Sequence, residues 1–307
     1  MKRTLSGTKT IMGDKKMDQT QNQRPKVVAE IGCNHKGEMS IAYELIEAAK
    51  DSGAEVAKFQ KRTNTELLTE EQYNAPHPNP NNSYGKTYGE HREFLEFDLS
   101  QHLLLKKKCD DVGIEYSTSV WDVTSAEELI TIDPNFLKVP SACNTHFEML
   151  EVLRDQYHGE IHLSLGMTDL KEENQIIEFF SHNNEVQRLT LYSCTSGYPV
   201  PAKDICLLEI KRLKDKYSNK VNAIGFSGHH TDTAIDLASV PLGVDWIERH
   251  FTLDRDWKGT DHSASLEPAG LKTLIKGLDL VSAALTYKET EILAIEIPQR
   301  DKLKYRK

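Results

Sequence analysis

From Lys26 onward, short runs of β-branched and aliphatic residues alternate with longer stretches whose apolar residues recur every three or four positions. The short runs predict strands at 27–32, 56–60, 114–120, 136–142, 160–166, 188–196, 223–229 and 246–252. The amphipathic stretches predict helices at 40–52, 101–112, 125–132, 146–157, 171–182, 204–217, 231–242 and about 268–285. Eight strand–helix units predict a parallel, helix-covered α/β architecture, and eight is the number that closes a (β/α)8 TIM barrel as one domain. An open doubly wound sheet is the alternative, but no GxGxxG turn follows the first strand. One connection, about 61–99, is long and rich in Pro, Asn and Tyr, as functional lids or inserts are.

Flanking this barrel at 26–287, a polar stretch at 1–25 reads as a disordered leader and 288–307 as a charged tail. The formal net charge of −9, with scattered Lys and Arg, argues against a nucleic-acid surface. No run is long enough to span a membrane and there is no signal core, so a cytoplasmic protein is expected. Five widely spaced cysteines without a CxxC pair fit reduced thiols rather than disulfides or a structural zinc. Cys33, Cys143 and Cys194 fall near strand ends, yet a buried cysteine ordinarily behaves as a small hydrophobe.

In such a barrel the strand ends and following loops build the site. His229 and His250 close strands seven and eight, and two neutral nitrogen ligands with open positions suit a divalent Lewis-acid metal. Hydrogen-bonded core histidines are the alternative. Lys58 and Gln60 share a face of strand two. Lys58 and Lys138, with Thr118, Ser141 and Ser196, make a cradle for a phosphate or carboxylate. Either lysine could instead form a structural ion pair with Glu30, or a Schiff base with substrate. Asp261 and His262 follow strand eight, with His262 left open as an acid–base group or third ligand.

The motifs AEIGCNHKG, AKFQ, KVPSA, LSLGM, CTSGYP, GFSGHH and ERHFTLDR, in that order over residues 26 to about 285, resemble the sialic acid synthase (N-acetylneuraminate synthase) family. The resemblance implies a barrel that condenses phosphoenolpyruvate with an open-chain N-acetylmannosamine-type sugar, releases phosphate, and needs a divalent metal, commonly Mn2+, with Mg2+ or Co2+ as alternatives. It implies that His229 and His250 hold the metal, and that Lys58, Lys138, Thr118, Ser141, Ser196 and Ser227 hold phosphoenolpyruvate. Gln60 would orient substrate oxygens and Tyr198 would line the pocket, while Glu30 or Asp261 would position or deprotonate water. A homodimer is implied as well.

Three departures from the family pattern bear on the acceptor. The longer members' C-terminal antifreeze-like domain, which offers an arginine to the sugar, is expected to be missing. Cys143 stands where many members have an acid. The loop from Thr63 to Leu99, with Tyr88, His91 and Arg92, is expected to cover the mouth in place of that domain. A legionaminate-, pseudaminate- or deaminated-neuraminate-type precursor, or a sugar phosphate, therefore remains an alternative acceptor. So does a barrel that binds sugar without turnover.

Overall fold

The computed structural model describes residues 23–305. Eight parallel strands, β1 (Lys26–Gly32), β2 (Val56–Lys61), β3 (Glu115–Val120), β4 (Phe136–Val139), β5 (Glu160–Ser164), β6 (Leu189–Cys194), β7 (Ala223–Gly228) and β8 (Trp246–His250), close into one barrel in chain order. The ring is sealed where β1 pairs β8, with Glu30 opposite His250. The helices are α1 (Met39–Ser52), α2 (Asn64–Leu67), α3 (Glu70–Asn74), α4 (Tyr88–Phe94), α5 (Leu99–Val112), α6 (Val123–Ile130) and α7 (Phe147–Gln156). They continue with α8 (Leu170–Ser181), α9 (Glu209–Tyr217), α10 (Ala234–Ser239), α11 (Pro268–Ala284) and α12 (Ile297–Leu303).

Period-two alternation sorts each strand into two environments. Ala29, Ile31, Phe59, Leu137, Val139, Leu163, Leu191, Phe226 and Ile247 face the helices and form the main core. The lumen is apolar only at its base, where Val28, Val56, Phe136, Tyr192 and Trp246 make a separate cluster. His162 completes that plug, stacked on Phe136 at 3.8 Å and edge-on to Trp246 at 4.9 Å. Gly225 makes room for it, since a Cβ there would lie 2.5 Å from the Tyr192 ring. Above the plug the lumen turns polar, and that change of character marks the functional end.

Several boundaries differ from the sequence expectation for identifiable reasons. β4 stops at Val139 because Pro140 has no N–H to donate, and Ser141–Cys143 turn into a 3-10 helix. α9 begins at Glu209 rather than at 204, since Cys206 adopts a left-handed conformation (φ 53°) that ends the preceding turn. The long connection is folded: α2, α3, α4 and a 3-10 turn at Pro80–Asn82 lie within it. Most of the expected leader lies outside the described residues, but its residue Arg24 is ordered, paired with Glu55 at 2.6 Å and Asp279 at 2.9 Å. The tail carries the short helix α12, none of it buried. No helix among the described residues is long and apolar enough to cross a membrane.

Candidate active site

A cavity of about 670 Å³ opens at the C-terminal ends of the strands. Its floor is a charge network. Lys58 and Lys138, each about 1% exposed, enter the lumen from β2 and β4. Lys58 contacts Glu30 Oε2, donates to Ser119 Oγ at 2.8 Å, and lies 3.6 Å from Glu248 Oε2. Lys138 donates to that same Glu248 oxygen at 2.9 Å and sits 3.5 Å from the centre of the Tyr192 ring. Ser227 donates to Glu248 Oε1 at 3.2 Å, and Gln60 Nε2 donates to Glu30 Oε1 at 2.7 Å. Two ammoniums thus face two carboxylates, so no bare charge is buried. Burial acts to raise the Glu248 carboxyl, but Lys138 and Lys58 outweigh it and hold the group well below the usual range. Burial and neighbouring Lys58 lower Lys138, against the pull of Glu248.

On the wall above, Ser141 and Ser196 join hydroxyls at 2.9 Å. His229 and His250 come together with ring centres 5.3 Å apart. His229 Nδ1 donates to the Thr195 carbonyl at 2.9 Å, which fixes the tautomer and leaves Nε2 with its lone pair. Burial and His250 lower the His229 pKa to about 4, so the ring is neutral at pH 7. His250 Nδ1 is buried without a hydrogen-bond partner, and the Asp261 carboxylate lies 3.8 Å away. Two imidazoles, one held neutral and the other with an orphaned nitrogen beside a carboxylate, fit a divalent cation. Tyr198 lies against both rings, at 4.4 Å and 5.8 Å between centres.

The folded connection after β2 forms one side of the mouth. Asn79, Asn82, Tyr88 and Arg92 line the cavity together with Arg62 and Trp121. The segment is tethered across the opening by Tyr84, whose hydroxyl donates to the Lys258 carbonyl and whose ring stacks on Phe94 at 5.0 Å. His91 turns inward to the segment, accepting from the Tyr84 amide at 3.1 Å and packing on His77 at 4.4 Å. Of the three side chains expected to reach a sugar, Tyr88 and Arg92 reach the cavity and His91 does not.

The structure therefore gathers Glu30, Lys58, Gln60, Lys138, Ser141, Ser196, Tyr198, Ser227, His229, His250 and Asp261 around one cavity. Thr118 is a correction. It is fully buried on the outer face of β3, beside Tyr116, whose hydroxyl meets His102 at 2.7 Å. The residue that reaches the lumen is its neighbour Ser119. His262 bonds Thr252 at 2.7 Å and joins no three-ligand cluster among the described residues. In the CNHKG run, Asn34 donates to the Phe251 carbonyl and Ser265, and His35 stacks on Phe97, so these residues stitch the rim. Burial pushes the Cys33 and Cys194 thiols up to about 11 and Cys143 to about 12, so each stays a neutral thiol at pH 7. Glu248, Ser119, Ser164, Arg62 and Trp121 are cavity residues that sequence reasoning missed. For Glu248 the signal existed: an acid inside an apolar strand, two residues before His250 and hence on its face.

Comparison with known proteins gives a consistent set of relatives. The model of the NeuB family matches residues 45–290. Human N-acetylneuraminate-9-phosphate synthase is 36% identical over 282 residues, covering 90% of this chain and 76% of that one. N,N'-diacetyllegionaminic acid synthase of Campylobacter jejuni is 33% identical over 263 residues, covering 84% and 77%. Among solved structures, N-acetylneuraminic acid (sialic acid) synthetase from Leptospira borgpetersenii, in complex with citrate, superposes with a TM-score of 0.76 at 27% identity, covering 93% and 94% of the two chains.

Proposed function

The chain belongs to the NeuB family, and from that premise we propose that it condenses phosphoenolpyruvate with an open-chain N-acetylmannosamine-type sugar, metal-dependently, to give a nonulosonic (sialic) acid and inorganic phosphate. The observation that carries this reading is the floor itself: two buried lysines braced by Glu30 and Glu248, beneath the paired imidazoles of His229 and His250. An ammonium has three donors. Lys138 uses one on Glu248, which leaves donor capacity at the cavity for phosphoenolpyruvate oxygens, joined by the Ser141, Ser196 and Ser227 hydroxyls. Glu248 serves as the brace that keeps two like charges in register before substrate arrives.

His229 and His250 would hold a divalent cation, with Asp261 adjacent, and when bound it would supply Lewis-acid polarisation of the sugar aldehyde. C3 of phosphoenolpyruvate then forms its bond to the aldehyde carbon, whose oxygen takes up a proton. Gln60, held by Glu30, orients the oxygens of the pair. Water adds to C2 while Glu30 or Asp261 accepts its proton, and the C2–O bond to phosphate breaks from the tetrahedral adduct. Lys58 and Lys138 stabilise the departing dianion. Similarity to the legionaminate enzyme supports a second reading with the same chemistry and a different N-acyl sugar.

Phosphate release from phosphoenolpyruvate, measured across mannosamine-type sugars with Mn2+ and with EDTA, tests the reaction. Release should require both metal and a sugar. His229→Ala and His250→Ala should each lose bound metal by elemental analysis and lower turnover by at least about 1,000-fold; either variant keeping both would defeat the metal assignment.

A further inference from the structure

Behind the two imidazoles, on the outer face of the same strands, lies a buried ion cluster that the reaction itself does not use. Arg249, Asp236 and His230 are all but fully buried. Alternation turns Arg249 away from the lumen, between the cavity residues Glu248 and His250 of β8. His230 likewise follows His229, and its ring folds back on Phe226 with centres 5.9 Å apart. A Cβ on Gly228 would lie 2.6 Å from that ring, so the glycine admits it. Arg249 Nη1 donates to Asp236 Oδ2 on α10, and Nη2 donates to the His230 carbonyl. Nη1 also reaches the Asp232 carbonyl at 3.3 Å. His230 Nε2 lies 3.2 Å from both Asp236 Oδ2 and Arg249 Nη1.

The cluster is poorly suited to a purely stabilising role. Arg249 Nε, Asp236 Oδ1 and His230 Nδ1 are buried without hydrogen-bond partners among the described residues. Apolar side chains of similar volume hold a core at least as well as a buried ion pair left incompletely satisfied. They cannot, however, grip a backbone carbonyl, and the place of the carbonyl gripped here matters. The paired register of β7 and β8 ends with Gly228 opposite Arg249, and His229 and His230 follow beyond it. Past that point Arg249 continues the link between the strands by its side chain. It holds the residue just after one imidazole from the position just before the other.

Resting on the functional reading above, in which His229 and His250 hold a divalent cation, we propose that Arg249, aimed by Asp236, is a positioning residue that sets the spacing of these two histidines and thereby the affinity of the site for that cation. The inner pair has ring centres 5.3 Å apart, and the outer pair, Arg249 and His230, is joined directly behind it. Asp236 and the His230 carbonyl take the two terminal nitrogens of one planar guanidinium, so the carboxylate on α10 fixes the direction in which the carbonyl is held. A lysine has a single nitrogen and no such fork. Groups that orient metal ligands from behind change metal affinity by about 10–100-fold when removed.

Calorimetric titration of the metal-free full chain with Mn2+, and separately with phosphoenolpyruvate, tests the assignment, while urea denaturation of the same samples reports the fold. Replacing both partners, Arg249→Met with Asp236→Leu, avoids the stranded charge that either change alone would leave. This double variant should keep a urea midpoint close to wild type, bind phosphoenolpyruvate as wild type does, and lose Mn2+ affinity on the order of 10–100-fold. Arg249→Lys should show a smaller loss of Mn2+ at an unchanged midpoint. Wild-type Mn2+ affinity in the double variant overturns the proposal. So does a loss that falls equally on phosphoenolpyruvate, since β8 as a whole would then have shifted. Should the double variant not fold, Arg249→Lys decides, and equal Mn2+ affinity there overturns the proposal. His229→Ala separates this result from the functional reading. If it binds Mn2+ as wild type does, the metal assignment fails and the proposal with it. If it loses Mn2+ while the double variant retains it, the histidines hold the metal and only the positioning role is wrong.

Discussion

At the scale of single residues, the floor is a case where one acid serves two bases. Glu248 touches Lys138, lies near Lys58 and accepts from Ser227, and all four side chains are buried. Glu248→Gln keeps the shape and removes the charge, so the ligand-free protein is left with two ammoniums facing Glu30 alone. Breaking a buried pair this way costs about 3–5 kcal/mol. The variant should therefore unfold at markedly lower urea concentration, and saturating phosphoenolpyruvate should restore more of its stability than it adds to wild type. Unchanged urea midpoints would mean that Glu248 is not the brace described. The same residue shows what the sequence conceals. Lys58 and Lys138 stand out as charges within apolar strands, but which acid meets each depends on barrel closure, which brings β8 beside β1 and β7.

At the scale of elements, legibility follows how strongly the alternation is marked. β2 and β8 mix large apolar residues with charges, so Lys58, Gln60, Glu248 and His250 take an unambiguous face. β3 reads Tyr-Ser-Thr-Ser, small and polar at three positions in succession, and nothing local fixes its phase. Register with β4, which sets Ser119 against Lys138, decides it. The lid could be located but not folded from sequence, because its short helices are stabilised by packing across the segment rather than by their own periodicity. The loop after β5 offers a direct test of the serine pair. A Cβ on Gly166 would overlap the Ser196 hydroxyl and lie 3.1 Å from the Ser141 Cβ. Gly166→Ala should force those side chains apart and raise the KM for phosphoenolpyruvate on the order of 10-fold, with little change in Tm. An unaltered KM would remove Ser141 and Ser196 from the cradle.

At the scale of the molecule, eight strand–helix units were readable because each carries its own period, and closure needed only their number. The same closed architecture makes the fold sensitive to mild acid. His35, His102 and His162 are buried in three different places: under the rim against Phe97, behind β3 against Tyr116, and in the lumen plug. Burial is the main cause that lowers them, to about 3, 3 and 4. Neighbouring groups reinforce it, His102 and Arg62 at His35, Lys61 at His102 and Lys138 at His162; the Glu160 hydrogen bond opposes it at His162 more than Lys138 aids it, and Asp98 opposes it more weakly than Lys61 aids it at His102. In the unfolded chain each would titrate near 6.5. Between about pH 6.5 and 4 the unfolded state therefore binds protons that the folded state refuses, and stability falls as pH falls. Above pH 7 the contribution is fully present and flat. Each histidine contributes a slope of roughly 1.4 kcal/mol per pH unit, so by pH 5 the three together remove about 6 kcal/mol. Glu173, held near 2 by Arg212, Lys216 and Tyr217 against burial, acts in a lower window and is lost only below about pH 4.5. Acid unfolding should thus begin above the carboxylate range. Urea denaturation at pH 7.5, 6 and 5 measures the slope, and His162→Phe, which keeps the ring stacked on Phe136, should lower it by about 1.4 kcal/mol per unit. A slope that His162→Phe leaves unchanged would mean that the lumen plug does not exclude the proton.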